Sequence, residues 1–230
     1  MNIIKSILFY AFFIVSTFAQ SWYVVDTSLI LGAPDFSDVS VVDENVAHIS
    51  CSSQANIFRT DNGAVSFSTQ ITSLGTSTEA IYMIDASTGF CGGGSGFVYN
   101  TVDGGANWRF LGTMATTLTD MDFVSANQGY ACGDGGVIIK TTNGGLNWVL
   151  QITPTTQKIY RIEFFDNNNG IAIIKSSVTS TLWTNSGGFV WGFASFTGGV
   201  ANSTMHDCDA VRGTSRAWII GYHGILMFQG

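Results

Sequence analysis

Thr101-Val102-Asp103-Gly104-Gly105-Ala106-Asn107-Trp108 recurs as Thr141-Thr142-Asn143-Gly144-Gly145-Leu146-Asn147-Trp148. Weaker copies are Thr60-Asp61-Asn62-Gly63-Ala64-Val65-Ser66-Phe67 and Thr184-Asn185-Ser186-Gly187-Gly188-Phe189-Val190-Trp191. The threonines step by 41, 40 and 43 residues, a near-constant period that a shuffled chain does not produce.

A second element precedes each copy. Gly89-Phe90-Cys91-Gly92 matches Gly129-Tyr130-Ala131-Cys132, and Gly96-Phe97-Val98-Tyr99 matches Gly136-Val137-Ile138-Ile139. Short apolar runs lie further upstream at 81–84, 121–124 and 162–165. Each repeat reads as three strands, a Gly-rich turn and a fourth strand beginning near the Trp. The β-branched and aromatic enrichment and the Gly/Asn/Asp turns favour strand over helix. Four short strands in every repeat of this period make a propeller blade.

The turn has a physical basis. Asp103, or Asn143 in its place, is expected to accept from backbone N–H groups two residues on. Gly104 and Gly105 permit positive φ. Thr101 and Trp108 are expected to pack the hairpin against the next blade. The motif closes a turn and performs no chemistry.

This pattern, Thr-x-Asp-x-Gly-x-x-Trp, resembles the Asp-box, or bacterial neuraminidase repeat. The residues carrying it are Thr60, Asn62 and Phe67; Thr101, Asp103, Gly105 and Trp108; Thr141, Asn143, Gly145 and Trp148; and Thr184, Ser186, Gly188 and Trp191. The longer run 129–148 is similar to the repeat of photosystem II assembly-factor-type propellers; sortilin-type receptors, sialidases and some xyloglucan-degrading enzymes carry related repeats. The resemblance implies an all-β propeller. It implies little about activity, because the Asp-box lies away from the active site in the enzymes that have it.

The ends set the blade count. Trp22 lies 45 residues before Phe67, so Ser21 to Val25 reads as a lone fourth strand. Ala217 to Gly221 and Gly224 to Phe228 match second and third strands, and Gln229 falls at the Thr position. One strand, four full units and a final three strands make five four-stranded blades. The expectation is a five-bladed propeller over 20–230 closed by the N-terminal strand, which would protect the sheet edges. The alternative is part of a six- to eight-bladed propeller.

Residues 1–19 read as a signal peptide: Lys5, then an apolar run over 7–15, then Ala19 at the cleavage position. The run is short for a membrane span, and none is expected in the mature chain. The chain is therefore expected to be exported, to the periplasm, the cell surface or the exterior. Export permits disulfides. Of the four cysteines, Cys51 and Cys132 align at equivalent repeat positions and Cys91 is out of phase by one. Most of the cysteines read as small buried hydrophobes.

Composition narrows the function. The 230 residues are 46% hydrophobic and 11% charged, which excludes a disordered chain. A net charge of −7 and five arginines do not suit a phosphate backbone, so no nucleic-acid partner is expected.

Innermost strands line a propeller channel, so their polar residues are the candidates for chemistry. The repeat alignment places Ser40, Tyr82, Asp122, Glu163 and Ala210 at one position, with Asp120, Asp207 and Asp209 close by. Such a rim could bind a cation or a sugar, or supply the carboxylate pair of a glycosidase. The competing reading is that the carboxylates accept backbone N–H groups and fix strand ends. His206-Asp207-Cys208-Asp209 mixes metal-ligand types but lacks a spaced partner, so no metal is expected. Gly92-Gly93-Gly94-Ser95-Gly96 lacks the Lys of a phosphate loop and reads as a hairpin turn. A sialidase requires an arginine triad and a Phe-Arg-Ile-Pro signature; the nearest string is Phe58-Arg59-Thr60. Trp183 and Trp191 read as inter-blade packing before sugar stacking. The sequence thus points to an exported, monomeric, non-enzymatic binding or scaffold propeller without cofactor, contacting a protein partner or an extracellular glycan. The alternative is a carbohydrate-active hydrolase using channel carboxylates.

Overall fold

A computed structural model describes residues 35–71, 76–114, 116–174, 181–194, 205–214, 216–221 and 224–229. The segment expected to be a signal peptide and the strand expected at Ser21–Val25 lie outside the described residues. The chain is all-β, with five antiparallel sheets. The first holds β1 (Phe36–Val41), β2 (Ala47–Cys51), β3 (Asn56–Thr60) and β4 (Ser68–Ile71). The second holds β5 (Thr78–Met83), β6 (Gly89–Gly93), β7 (Phe97–Thr101) and β8 (Arg109–Thr113). The third holds β9 (Leu118–Phe123), β10 (Gly129–Gly133), β11 (Ile138–Thr141) and β12 (Val149–Gln151). The fourth holds β13 (Ile159–Phe164), β14 (Gly170–Ile174), β15 (Thr181–Thr184) and β16 (Gly192–Phe193). The fifth holds β17 (Met205–Val211), β18 (Arg216–Gly221) and β19 (Gly224–Gln229).

Each sheet is a meander in sequence order, and each first strand packs beside the first strand of the next sheet, from β1 through β5, β9 and β13 to β17. This is the blade arrangement of a propeller. The core lies between blades. Ala80, Phe90 and Val98 of blade two pack on Leu118, Met121, Phe123 and Ala131 of blade three. Tyr130, Cys132 and Ile138 of blade three pack on Ile162, Phe164 and Ala172 of blade four. Because β6, β10 and β14 are covered on both faces, all five residues of each are buried. That explains why they read as continuous small or apolar runs.

The repeated turn is built around its threonine. Thr101 Oγ1 accepts from the N–H groups of Asp103 (3.3 Å) and Gly105 (2.8 Å) and donates to Asp103 Oδ1 (2.8 Å). Asp103 Oδ1 also accepts from Asn107 N at 2.9 Å, four residues on rather than the two expected. Thr60, Thr141 and Thr184 repeat the arrangement with Asn62, Asn143 and Ser186. The first glycine of each turn donates to the turn joining the blade's first two strands: Gly63 to Asn45, Gly104 to Ser87, Gly144 to Asn127 and Gly187 to Asn168. The second glycine meets the preceding blade: a Cβ on Gly145 would overlap the Phe90 ring, and one on Gly105 would overlap Gln70.

Two alignments need correction. Every inner strand carries a bulge at the same place, near its own start and opposite the end of its partner, and in blade five it lies between Met205 and Asp207. From that landmark Asp209↔Trp218 matches Asp122↔Tyr130, so Asp209, not Ala210, holds the position of Ser40, Tyr82, Asp122 and Glu163. Ala210 instead packs with Cys208 against blade four. Phe228, not Gln229, consequently falls at the Thr position, since it pairs with Ala217. The second correction concerns Cys51. The β2–β3 hairpin is one residue longer than β10–β11, so Ser50 rather than Cys51 matches Cys132. All four cysteines are free.

Candidate functional site: the axial channel

Inner strands β1, β9, β13 and β17 border an open axial cavity of about 490 Å³ at their N-terminal ends, lined by Phe36, Asp38, Asp120, Arg161, Glu163 and Asp207 among others. A second space of about 300 Å³ shares Asp38, Asp120 and Glu163 and continues toward Tyr82.

The polar residues of these strands reach sideways into the next blade. Ser37 Oγ donates to the Thr78 carbonyl at 2.8 Å, Asp38 Oδ2 accepts from Ile81 N at 3.0 Å, and Ser40 Oγ accepts from Met83 N at 2.8 Å. Two blades further on the set recurs. Thr119 Oγ1 donates to the Ile159 carbonyl at 2.6 Å, and Asp120 Oδ2 and Asp122 Oδ2 accept from Ile162 N and Phe164 N, both at 2.8 Å. Adjacent inner strands have no ladder of their own, and these side chains satisfy amides that would otherwise face the axis unpaired. The junction of blades two and three is built differently. Ala80 replaces the carboxylate, the Phe90 and Phe123 rings stack at 4.5 Å, and Tyr82 donates to the Phe123 carbonyl.

One residue crosses the axis. Arg212, in the turn after β17, donates to the Phe123 carbonyl (2.9 Å) and the Tyr82 hydroxyl (3.2 Å) and pairs directly with Asp122. Glu163 Oε1 lies 3.7 Å from the same guanidinium. The cluster lies at the C-terminal ends of β5, β9 and β13. At the other mouth Arg161 Nε pairs with Asp207 Oδ1 at 3.2 Å. Asp209 is exposed.

Electrostatics follow burial. Burial pushes the Glu163 carboxyl up to about 9, the Asp122 charge adds to it, and Arg212 opposes it. Burial also raises Asp122, against the pull of Arg212, and raises Asp120 well above the usual range with Asp38 as second cause. Tyr82 rises to about 12, chiefly through burial. Glu163 is therefore protonated at neutral pH, and Arg212 balances Asp122.

Of the sequence candidates, Asp120, Asp122 and Glu163 meet at the axis, Asp207 joins the open mouth through Arg161, and Asp209 stays in solvent. Asp38, Arg161 and Arg212 were not singled out as site residues. Asp38 could have been found, since it lies two residues before Ser40 as Asp120 lies two before Asp122. Among the described residues no group of three or more His, Cys, Asp or Glu is placed to hold a metal ion. No helix among them is long and apolar enough to cross a membrane.

No protein-family model matches the chain, and a search of curated proteins finds no match. Solved structures do match. YCF48 bound to a D1 peptide superposes with a TM-score of 0.68 at 15% identity, over 86% of this chain and 64% of that one. YCF48 from Cyanidioschyzon merolae gives 0.53 at 14% identity, over 85% and 82%. The GH74 xyloglucanase from Xanthomonas campestris gives 0.63 at 8% identity, over 92% and 38%. The chain thus spans about two thirds of the first structure and little more than a third of the xyloglucanase. At these identities the likeness shows the fold: the chain is similar to β-propellers that include both a peptide binder and a glycoside hydrolase.

Proposed function

We propose that the chain is an exported, non-enzymatic binding or scaffold propeller, monomeric and without cofactor, whose surface contacts a protein partner or an extracellular glycan. We further propose that residues 1–19 are removed as a signal peptide and that the repeated turns are Asp-boxes. The observation that carries the functional reading is the engagement of the channel carboxylates. Asp120 and Asp122 hold amides of the next blade, and Asp122 is 1% exposed beneath Arg212. A glycosidase needs two carboxyl groups that reach the sugar from opposite sides. A protein partner is favoured by the outer rim of blades three and four. Val149, Leu150, Ile152, Phe189 and Val190 there are each more than 60% exposed, in two stretches without charge. The similarity to YCF48 bound to a D1 peptide supports the same choice.

The hydrolase reading keeps one specific support: Glu163 is protonated at neutral pH in the cavity wall, the form a general acid needs. Incubation with xyloglucan and other glycans separates the two. The proposal expects retention without consumption, or no interaction. Cleavage that disappears in both Asp122→Asn and Glu163→Gln would establish the hydrolase instead.

A further inference from the structure

In blades one to four, the inner turn joining the first two strands and the outer turn joining the last two lie on one face. The first glycine of each outer turn donates to the inner turn beside it. Neighbouring blades join there too. Gln70 Nε2 donates to the Gly104 carbonyl at 3.0 Å, and Gln128 Nε2 to the Asn167 carbonyl at 2.9 Å. This face is divided in two. In blades three and four the outer turns present Leu146, Phe189 and Val190, which are 63%, 81% and 61% exposed. The four turns of these blades hold one charged residue, Asp166. Gly188, just before Phe189, lies against Gln151 of β12, so the apolar turns continue into the apolar rim of that strand. In blades one and two the turns present Asp43, Glu44, Asp61, Asp85 and Asp103, all exposed. None of the five belongs to an ion pair among the described residues, whereas on the opposite face Asp134 is paired with Lys158 at 3.1 Å. Arg59, half-buried near the end of β3, and exposed Arg109, at the start of β8, stand below these turns and leave them net negative. The N–H groups of Ser87 and Thr88 hold the Asp85 carboxyl below the usual range, and Asn107 does the same for Asp103, so their charge persists in mild acid.

We propose that this face docks a linear segment of a partner protein that is apolar at one end and basic at the other. The proposal rests on the protein-partner reading above and names the chemistry of the partner. The apolar end lies over blades three and four, where Leu146, Phe189 and Val190 lose their contact with water. The basic end lies over blades one and two, where it meets carboxylates that the chain itself leaves uncompensated. That pairing fixes the direction of the segment along the face. The same carboxylates repel anionic lipid and phosphate backbones, which leaves a basic polypeptide as the occupant.

The test is titration of the full chain into a fluorescein-labelled peptide with leucine and phenylalanine in its first half and lysines in its second. A control peptide carries glutamates in place of the lysines. Leu146→Ser with Phe189→Ser removes the apolar half of the face, and Glu44→Gln with Asp61→Asn removes charge at nearly constant shape. Unchanged melting temperatures check that both double variants are folded. The expected result is binding of the lysine peptide that falls about tenfold in the first double variant and about fivefold in the second. Added salt should weaken the wild-type complex more than the charge-depleted one. Equal binding of the glutamate peptide would overturn the proposal. So would binding that both double variants leave unchanged, or no binding up to about 1 mM peptide. None of these results touches the wider protein-partner reading, which fails separately if the chain cleaves a glycan.

Discussion

Arg212 pairs with Asp122 across the propeller axis, although 90 positions separate them in sequence. The contact ties the last blade to the third through the centre, while the wall of the last blade facing the first stays exposed. The carboxylate is 2% exposed and the guanidinium 41%, so the pair sits at a mouth of the channel with its anion inside.

Removing the cation should therefore cost more than an ordinary surface pair. Arg212→Met leaves a buried carboxylate that keeps the Phe164 N–H but loses its cation. We expect a loss of about 1–3 kcal/mol in urea unfolding, discounted from a fully buried pair because the arginine is partly solvated. Adding Asp122→Asn should recover part of it. A change below about 0.5 kcal/mol in the single variant would mean that the contact is incidental.

Glu163 sets the direction of the pH dependence. Its carboxyl holds a proton to about pH 9 when folded and to about 4.5 when unfolded. The stability conferred is complete below 4.5 and is lost as pH rises toward 9. His48 works the other way. Burial lowers its pKa, so protonation favours the unfolded chain and stability falls as pH drops below about 6.5. Calorimetric melting across this range should show Tm declining on the alkaline side, and Glu163→Gln should flatten that decline. An unchanged alkaline slope would show that Glu163 ionises normally in the fold.

The second glycine of the repeated turn is constrained twice. Gly145 has φ of 76° and its missing Cβ would overlap Phe90. Gly135 has φ of 71° with nothing within 4 Å. Gly135→Ala should cost about 1 kcal/mol from backbone strain alone. Gly145→Ala should cost about 2–4 kcal/mol, because blade two must also move. Blade one already carries Ala64 at this position with φ of 67°. On that side of blade one Val39 and Val41 are 57% and 67% exposed.

The threonine of the turn should matter through its oxygen. Thr141→Val keeps the shape but removes the acceptor for Gly145 N and Asn143 N. A loss of about 1–2 kcal/mol in chemical denaturation is expected, with Thr141→Ser close to wild type. Equal losses in both variants would assign the residue to packing.

The blades were legible because each turn needs the same atoms. Thr101 and Thr141 gather the same N–H groups, and that demand repeats the residues at a fixed period. Blade five lacks the motif's turn Thr and following Trp in its described strands, so alignment by spacing slipped by one residue. In a strand such a slip exchanges the faces, which is why Ala210 and Asp209 were interchanged. Arg212 was illegible for a related reason. Its turn belongs to the unit without the motif, and its partners Tyr82, Asp122 and Glu163 come from three other blades. The inner-hairpin turns, where Asp43, Asp85, Ser125 and Asp166 each accept from the N–H groups two and three residues on, recur at steps of 42, 40 and 41 residues but carry only one Asp or Ser apiece as a signal, too little to stand out beside the longer turn motif.

The central claim is that the channel carboxylates join blades, and amide hydrogen exchange tests it most directly. In Asp122→Ala, exchange at Phe164 N–H should accelerate while Ile171, in the next strand of the same blade, stays protected. Asp120→Ala should do the same at Ile162. The account predicts this selective loss of protection in a chain that leaves glycans uncleaved. Unchanged protection at Phe164 and Ile162, together with cleavage by the wild-type chain that these substitutions abolish, would contradict it and make the carboxylates catalytic.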